Sequence, residues 1–440
     1  MIRAHCTVRE HDLLLRSQAS GSAGGNRIPA ADFDALKALI VDADDDPDAV
    51  DAADAPAYGR LFRLRNARNE VALQICNFAG VIQTPSGLQI EVLPKIGASH
   101  DDARNTLVRM LRTAGQIPPL PIHQASLSPV RLPLMEFFFS QFLDAVTHLL
   151  KRGLLSGYER VQRNSRFLKG RLLIGRHLQH NLANAERFFV EHDLLRLDRP
   201  ENRLIRSALD TLATMAKDAG NQKLCRELVF AFDDVPPSRE VRADLERCVK
   251  DRSLSHYADA LTWARLILLR LQPIGRGGSA RVHALLFPME RLFEQCVGAG
   301  LRKRCRHPSR IRAQSGARNL ATHKGAPCFQ LRPDYVVEHA GAPNLVLDAK
   351  WKRIDASGSA SGRSYGLTRA DLYQLYAYGN KYLDAANGIR TVVLVYPRTP
   401  EFPEALEPFE YEPGHVLHVI PYDLERCELV PPPTLTALSD

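Results

Sequence analysis

The segment Arg332-Pro333-Asp334-Tyr335-Val336-Val337-Glu338, answered by Leu345-Val346-Leu347-Asp348-Ala349-Lys350-Trp351, decides how this chain is read. Both runs are short and each holds an apolar stretch, Tyr335-Val336-Val337 in the first and Leu345-Val346-Leu347 in the second, so strands are expected over 330–338 and 345–351. His339-Ala340-Gly341-Ala342-Pro343 between them can close a hairpin, which would set Asp334 and Asp348 side by side on neighbouring strands. The period of two then puts Asp348 and Lys350 on one face. Two carboxylates and an ammonium in one pocket suit phosphodiester hydrolysis. A hard ion such as Mg²⁺ takes carboxylate oxygen, keeps waters and polarises a phosphate. Asp334 and Asp348 are the expected metal ligands, with Mn²⁺ the alternative to Mg²⁺. Lys350 is expected to hold the attacking water or to stabilise developing charge. Asp-x-Lys alone is a weak motif, for which a strand-end ion pair is the competing reading.

Working outward, an amphipathic helix is expected over 285–304, another over 368–383 with Thr368 and Asp371 as a capping box, and a strand over 391–396. The order α-β-β-α-β is that of a mixed α/β domain. Upstream, apolar stripes in 137–155, 204–215 and 257–271 predict a helical middle domain, bounded by the glycine run 275–279. Nearer the start, strands are expected over 7–15, 61–65, 71–77, 81–84 and 88–93, the last two joined through Pro85-Ser86-Gly87. A Ser/Gly loop over 17–26 and an acidic, poorly ordered stretch over 32–54 interrupt them, and a helix over 101–114 and a proline-stiffened linker over 117–121 follow. The chain is thus expected to be multi-domain α/β in three parts: a β-rich N-terminal domain over 1–120, a helical middle domain over 121–278 and a C-terminal α/β domain over 279–440.

The 440 residues, 45% of them hydrophobic, suffice for more than one core. None of the eight cysteines has the Cys-x-x-Cys spacing of a zinc or redox site, so they read as reduced thiols. Met1 to Glu10 has no apolar core of a signal peptide and no long uncharged apolar run follows, so a cytoplasmic protein with no membrane contact is expected. The net charge is +8, although residues 32–54 hold nine Asp against one Lys. A body that basic favours a polyanionic partner, or is a surface kept for solubility. The run Arg302-Lys303-Arg304-Cys305-Arg306-His307, with Arg310 and Arg312, can track a DNA backbone or end a solvated helix. His177 and His180 lack an acidic third ligand and read as surface histidines, and Trp351 reads as a core aromatic.

Asp334, fourteen residues before Asp348-Ala349-Lys350, resembles the PD-(D/E)xK nuclease pattern. That resemblance implies a restriction-endonuclease-like C-terminal fold and a further acid on the preceding helix, for which Glu294 is preferred to Glu290. It also implies a polar residue on the following helix, matched by Gln374 with Tyr378 one turn on. Several phrases together are similar to McrC, the nuclease subunit of McrBC-type modification-dependent restriction systems. They are Gly80-Val81-Ile82-Gln83-Thr84, Leu93-Pro94-Lys95-Ile96, the helix with Met110-Leu111, Lys151-Arg152-Gly153-Leu154, Glu201-Asn202-Arg203-Leu204, Met289 to Glu294, Arg332-Pro333-Asp334 and Leu347 to Lys352. The resemblance implies a Mg²⁺-dependent endonuclease acting on double-stranded, methylated DNA, directed by a McrB-like AAA+ GTPase and stimulating it. No Gly-x-x-x-x-Gly-Lys-Ser/Thr occurs, so this chain is expected to bind no nucleotide and the GTPase to come in trans. The competing readings are an autonomous repair or defence nuclease and a non-catalytic regulatory subunit.

Overall fold

Val8, Leu14 and Ile28 sit at the centre of the first part of the fold, on strands of two different sheets. A computed structural model describes residues 5–17, 26–44, 61–67, 69–119, 132–184, 186–248, 252–274, 282–305, 309–357, 364–384, 389–432 and 435. The expected loop over 17–26 and acidic stretch over 32–54 fall partly outside these residues, as do the linker end at 120–121, the glycine run 275–279, and Arg306 and His307. The predicted strand over 7–15 is two strands, β1 (His5–Arg9) and β2 (Leu13–Arg16), parted by His11 at φ 69°. After β3 (Arg27–Ile28) comes α1 (Ala30–Asp44), which corrects the expectation of poor order across 32–44. Phe33, Leu36 and Leu39 recur at helical spacing and are buried, so one apolar stripe outweighs the aspartates around it. Strands β4 (Phe62–Ala67), β5 (Glu70–Ile75), β6 (Phe78–Gln83) and β7 (Gln89–Leu93) follow, the last two joined as the turn residues predict, with Gly87 at φ 85°. A helix, α2 (His100–Thr113), starts with Ser99 and Asp102 as a reciprocal capping box. From it Arg104 grips buried Glu91 on β7 with two bonds of 2.8 and 2.6 Å.

The predicted stripes of the middle segment appear as α3 (Leu134–Arg152), α5 (Pro200–Met215) and α8 (Ala258–Arg270), but the segment is not wholly helical. Strands β8 (Gly157–Ser165), β9 (Arg171–Leu172) and β10 (Phe188–Arg196) form an antiparallel sheet in the order β8-β10-β9, with α4 (Ile174–Asn181) between β9 and β10 in sequence. Only Val190 and His192 among their residues are buried, so no buried alternation runs along them to mark them as strands. Helices α6 (Ala219–Ala231) and α7 (Val241–Arg247) complete the segment. Buried Asn202 donates to the carbonyls of Leu155 and Leu197 at 2.8 Å each and accepts from the Tyr257 hydroxyl at 2.7 Å. That network accounts for an Asn in the Glu201-Asn202-Arg203-Leu204 phrase.

Beyond β11 (Gln272–Ile274), residues 282–288 form strand β12 (Val282–Pro288), and the helix predicted from 285 starts only at Met289 as α9 (Met289–Arg304). Leu285-Leu286-Phe287 is apolar enough for either state, and pairing with β6 decides it. The first sheet therefore runs β1-β7-β6-β12-β11, and a second runs β3-β2-β5-β4. Gly80 carries the join, because at φ 141° a Cβ there would lie 2.0 Å from the Leu285 carbonyl oxygen. Next come β13 (Arg310–Ala313), β14 (Arg318–His323), β15 (Ala326–Leu331), β16 (Tyr335–His339) and β17 (Ala342–Ala349). The chain finishes with α10 (Arg369–Tyr382), β18 (Arg390–Pro397), β19 (Phe409–Glu412), β20 (His415–Asp423) and β21 (Glu428–Leu429). The large sheet has the order β13-β16-β17-β18-β20-β19, with β21 on β20 and β17, β18 and β20 parallel. Val346, Val392 and Leu394 pack with Leu375 and Tyr378 of α10 on one face. On the other, Gly298 of α9 admits the Tyr335 ring and Phe293 meets Trp351 and Tyr422. The chain divides into two compact units, one holding Met1–Pro119 with Pro273–Asp440 and the other Leu132–Gln272. The β-rich start and the C-terminal α/β segment thus share one unit.

Candidate active site

Asp334 lies one residue before β16, where Pro333 offers no N–H and the next residue, Tyr335, pairs with Leu347. That register sets Asp334 across from Asp348. The Asp334 Oδ2 accepts the Ala349 N–H at 2.7 Å, and its backbone oxygen accepts from Gln314 at 2.8 Å. Lys350 lies on the Asp348 side, as the period of two requires, with Nζ 2.6 Å from Asp348 Oδ2. The same ammonium donates to Gln374 Oε1 on α10 at 3.1 Å. Gln374 donates onward to the Tyr378 hydroxyl at 2.8 Å, which donates to the Arg332 carbonyl at 3.1 Å. A path of hydrogen bonds thereby ties Lys350 to Arg332, two residues before Asp334.

Burial pushes the Asp334 carboxyl up to about 8, the nearby Asp348 charge adds to this, and the Ala349 N–H opposes it. Asp348, 2% exposed, is raised by burial against the pull of Lys350. Burial works against the charged form of Lys350, but Asp348, Asp371 and Asp334 together hold its pKa above the usual lysine range. One ammonium is thus set against a pair of buried acids that resist ionising together, a site that accepts further positive charge. Among the described residues no three His, Cys, Asp or Glu side chains form a metal-holding group. The protein ligands available to a cation here are Asp334 and Asp348. This donor set fits a hard divalent ion, which commonly takes one or two carboxylates and fills its other positions with water and phosphate oxygen.

Glu294 approaches from α9. Its carboxylate accepts from Gln314 at 2.9 Å and its backbone oxygen accepts from Tyr335 at 2.9 Å. Burial raises its pKa, with Asp348 contributing. Glu290, one turn earlier, instead accepts from Asn77 at 3.0 Å. Two features escaped the reading of the sequence. Asp371, taken only as a capping residue, pairs with Lys352 at 2.8 Å and adds negative charge beside Asp348. Trp351 is buried, and its Nε1 donates to both oxygens of buried Glu10 at 3.1 and 3.0 Å. Lys95 donates from its backbone to the same carboxylate and from Nζ to the Trp351 carbonyl at 2.7 Å. The Lys95 phrase was visible in the sequence; nothing there marked Glu10. Arg312 is paired with Glu338, and His177 stacks on Phe188, so neither needs a ligand.

No curated protein matches the chain. Among solved structures, one match is a refined half-complex from the tetradecameric assembly of Thermococcus gammatolerans McrB AAA+ hexamers with bound McrC. It has 20% identity and a TM-score of 0.72, and the alignment covers 95% of this chain and 94% of that one. A second is the cryo-EM structure of the Thermococcus gammatolerans McrBC complex, at 20% identity and TM-score 0.52, covering 68% and 88%. These likenesses establish the fold. The model of the McrBC 5-methylcytosine restriction system component family matches residues 73–397, from β5 to the end of β18, and the chain belongs to that family.

Proposed function

We propose that this chain is the McrC-like endonuclease subunit of a modification-dependent restriction system, hydrolysing phosphodiester bonds of methylated double-stranded DNA with Mg²⁺. The observation that carries the reading is the convergence of Asp334, Asp348 and Lys350 at the mouth of the β16/β17 pair. This convergence supports reading the site as a PD-(D/E)xK centre. Asp334 and Asp348 would hold the ion, with Glu294 as the neighbouring third acid. The ion, when bound, supplies Lewis-acid polarisation of the scissile phosphate. Lys350 uses its ammonium to orient the attacking water and to offset charge growing on the phosphate in a site largely shut from solvent. Gln374 holds that ammonium at Nζ, and Tyr378 holds Gln374.

A McrB-like AAA+ GTPase supplies recognition and translocation in trans and is stimulated by this chain. The N-terminal and middle parts serve as its docking surfaces. Support comes from the family and from the solved relative, which is an assembly with McrB hexamers. Among the described residues no helix is long and apolar enough to cross a membrane. Cytoplasmic action on DNA is part of the proposal.

The test is cleavage of methylated and unmethylated plasmid by wild type, Asp348→Asn and Lys350→Ala, in Mg²⁺, with and without a McrB-like GTPase and GTP. The expected result is methylation-dependent cutting that needs partner and GTP, vanishes in Asp348→Asn and falls on the order of 10²–10³-fold in Lys350→Ala. Partner-free cutting would make this an autonomous nuclease, and activity indifferent to Asp348 would refute the assignment of the site.

A further inference from the structure

Between Glu294 and Asp334 the chain carries nine Arg and Lys residues and not one Asp or Glu. The middle of this run is the β14–β15 hairpin, exposed on both faces. Lys324 and Gly325 form its two-residue turn with φ 49° and 81°, the left-handed pair that a tight hairpin requires. Arg318 opens β14, Lys324 is at the tip and Arg332 follows β15. Among the described residues neither Arg318 nor Lys324 makes an ion pair. Leu320 and Phe329 lie between the Asn319–Gln330 and Ala321–Cys328 pairs, and both residues are exposed, at 45% and 75%. An apolar pair held in water and bordered by unneutralised cations lacks a partner that is apolar within and anionic outside. Stacked bases between phosphate strands match that description.

The base of the hairpin is anchored. The Tyr382 hydroxyl donates to the carbonyls of Leu331, at 2.9 Å, and of Ser315, and Gln330 donates to the Gly316 carbonyl at 2.8 Å. Tyr382 is on α10, the helix that carries Gln374, and Tyr378 of that helix receives the Lys350 path and ties it to Arg332. The arm therefore has a fixed position relative to the candidate site.

We propose that the β14–β15 hairpin is a duplex-DNA arm that positions the scissile phosphate, with Arg318, Lys324 and Arg332 on the backbone and Leu320 and Phe329 wedged against a base step. This rests on the nuclease reading above and specifies how that site is fed. The test uses full-length protein without divalent metal, with binding to a fluorescent 30-base-pair duplex followed by anisotropy across a salt series. The double variant Arg318→Ala/Lys324→Ala is expected to lower the slope of log K against log salt by about 1.8, two phosphates at roughly 0.9 each, and to weaken binding at least tenfold at low salt. Phe329→Ser is expected to leave the slope unchanged, weaken binding about fivefold or more, and abolish the fluorescence rise of a 2-aminopurine placed at the wedged step. Circular dichroism melts matching wild type would show that both variants fold. Wild-type slope and affinity in the double variant would overturn the proposal, as would equal affinity for a single strand. Lys350→Ala separates the two readings, because it should lose cleavage while keeping duplex binding. Wild type that cleaves DNA while the hairpin variants bind like it removes the arm alone, and wild type that neither binds nor cleaves removes the nuclease reading as well.

Discussion

Replacing Glu10 with Gln should make the unit that holds Trp351 more stable above neutral pH and should flatten its pH dependence. Glu10 is 3% exposed, and burial pushes its carboxyl from 4.5 up to about 7 against the pull of Lys95 and Trp351. The folded form thus binds a proton that the unfolded chain releases. A carboxyl raised in this way contributes stability that is fully present below about 4.5 and is lost as pH rises from there through about 7. At 1.36 kcal/mol per unit, a rise of about 2.5 units corresponds to about 3 kcal/mol. Gln keeps an acceptor for the Trp351 indole and never ionises, so the variant should escape that loss. The assay is urea unfolding at pH 5 and pH 8 followed by Trp351 fluorescence, in a Trp263→Phe background so that one indole reports. Groups common to both proteins, Asp334 and Glu294 among them, cancel in the comparison. Because pH 5 lies just above the unfolded value, wild type should lose about 2.5 kcal/mol more than Glu10→Gln between the two pH values. Equal losses in the two proteins would refute the placement of a buried, proton-binding carboxylate under Trp351.

Three further outcomes follow from the packing. Gly80→Ala puts a methyl group into the Leu285 carbonyl at a backbone angle that disfavours side chains, so unfolding experiments should register a loss above about 2 kcal/mol or no folded product. Arg104→Ala leaves the buried Glu91 carboxylate without its bidentate partner and should cost about 3–5 kcal/mol in denaturant unfolding at pH 7, with part of the loss recovered in the Glu91→Gln/Arg104→Ala double variant. Gln374→Ala should lower the single-turnover cleavage rate by about 10- to 100-fold while leaving the melting temperature within a few degrees, since it frees Lys350 without opening the core.

The parts of this molecule that were legible in the sequence are those specified over short distances. Leu345-Val346-Leu347 is a short apolar run ended by Asp348 and has a Gly-containing turn just before it, so the hairpin and, through the period of two of a strand, the common face of Asp348 and Lys350 follow from local chemistry. Pro85-Ser86-Gly87 likewise placed the β6–β7 turn. Elements specified from afar were misread. Leu285-Leu286-Phe287 has no intrinsic reason to be a strand rather than a helix until β6 offers its edge. The exposed strands β8 and β10 bury too little to impose a pattern, and α1 conceals its stripe among aspartates. At the site, Gln374 and Glu294 came from resemblance to a known arrangement. The Glu10–Trp351 contact spans 341 positions and has no local signature.

The pairing of β6 with β12 also sets a schedule. Gln83 and Val282 are 199 positions apart, and the whole second unit lies between them. At a synthesis rate of roughly 5–20 residues per second, the strand Phe-Ala-Gly-Val-Ile-Gln waits roughly 10–40 s on the ribosome with one hydrogen-bonding edge bare. That is ample time for a neighbouring nascent chain to add itself in place of β12. The middle unit, whose contacts are all encoded within the interval, can finish folding first and hand back the chain at Pro273. Its tempo thereby governs how long the aggregation-prone edge stays open, and slow codons inside the middle segment should lower soluble yield more than the same codons placed after Pro288.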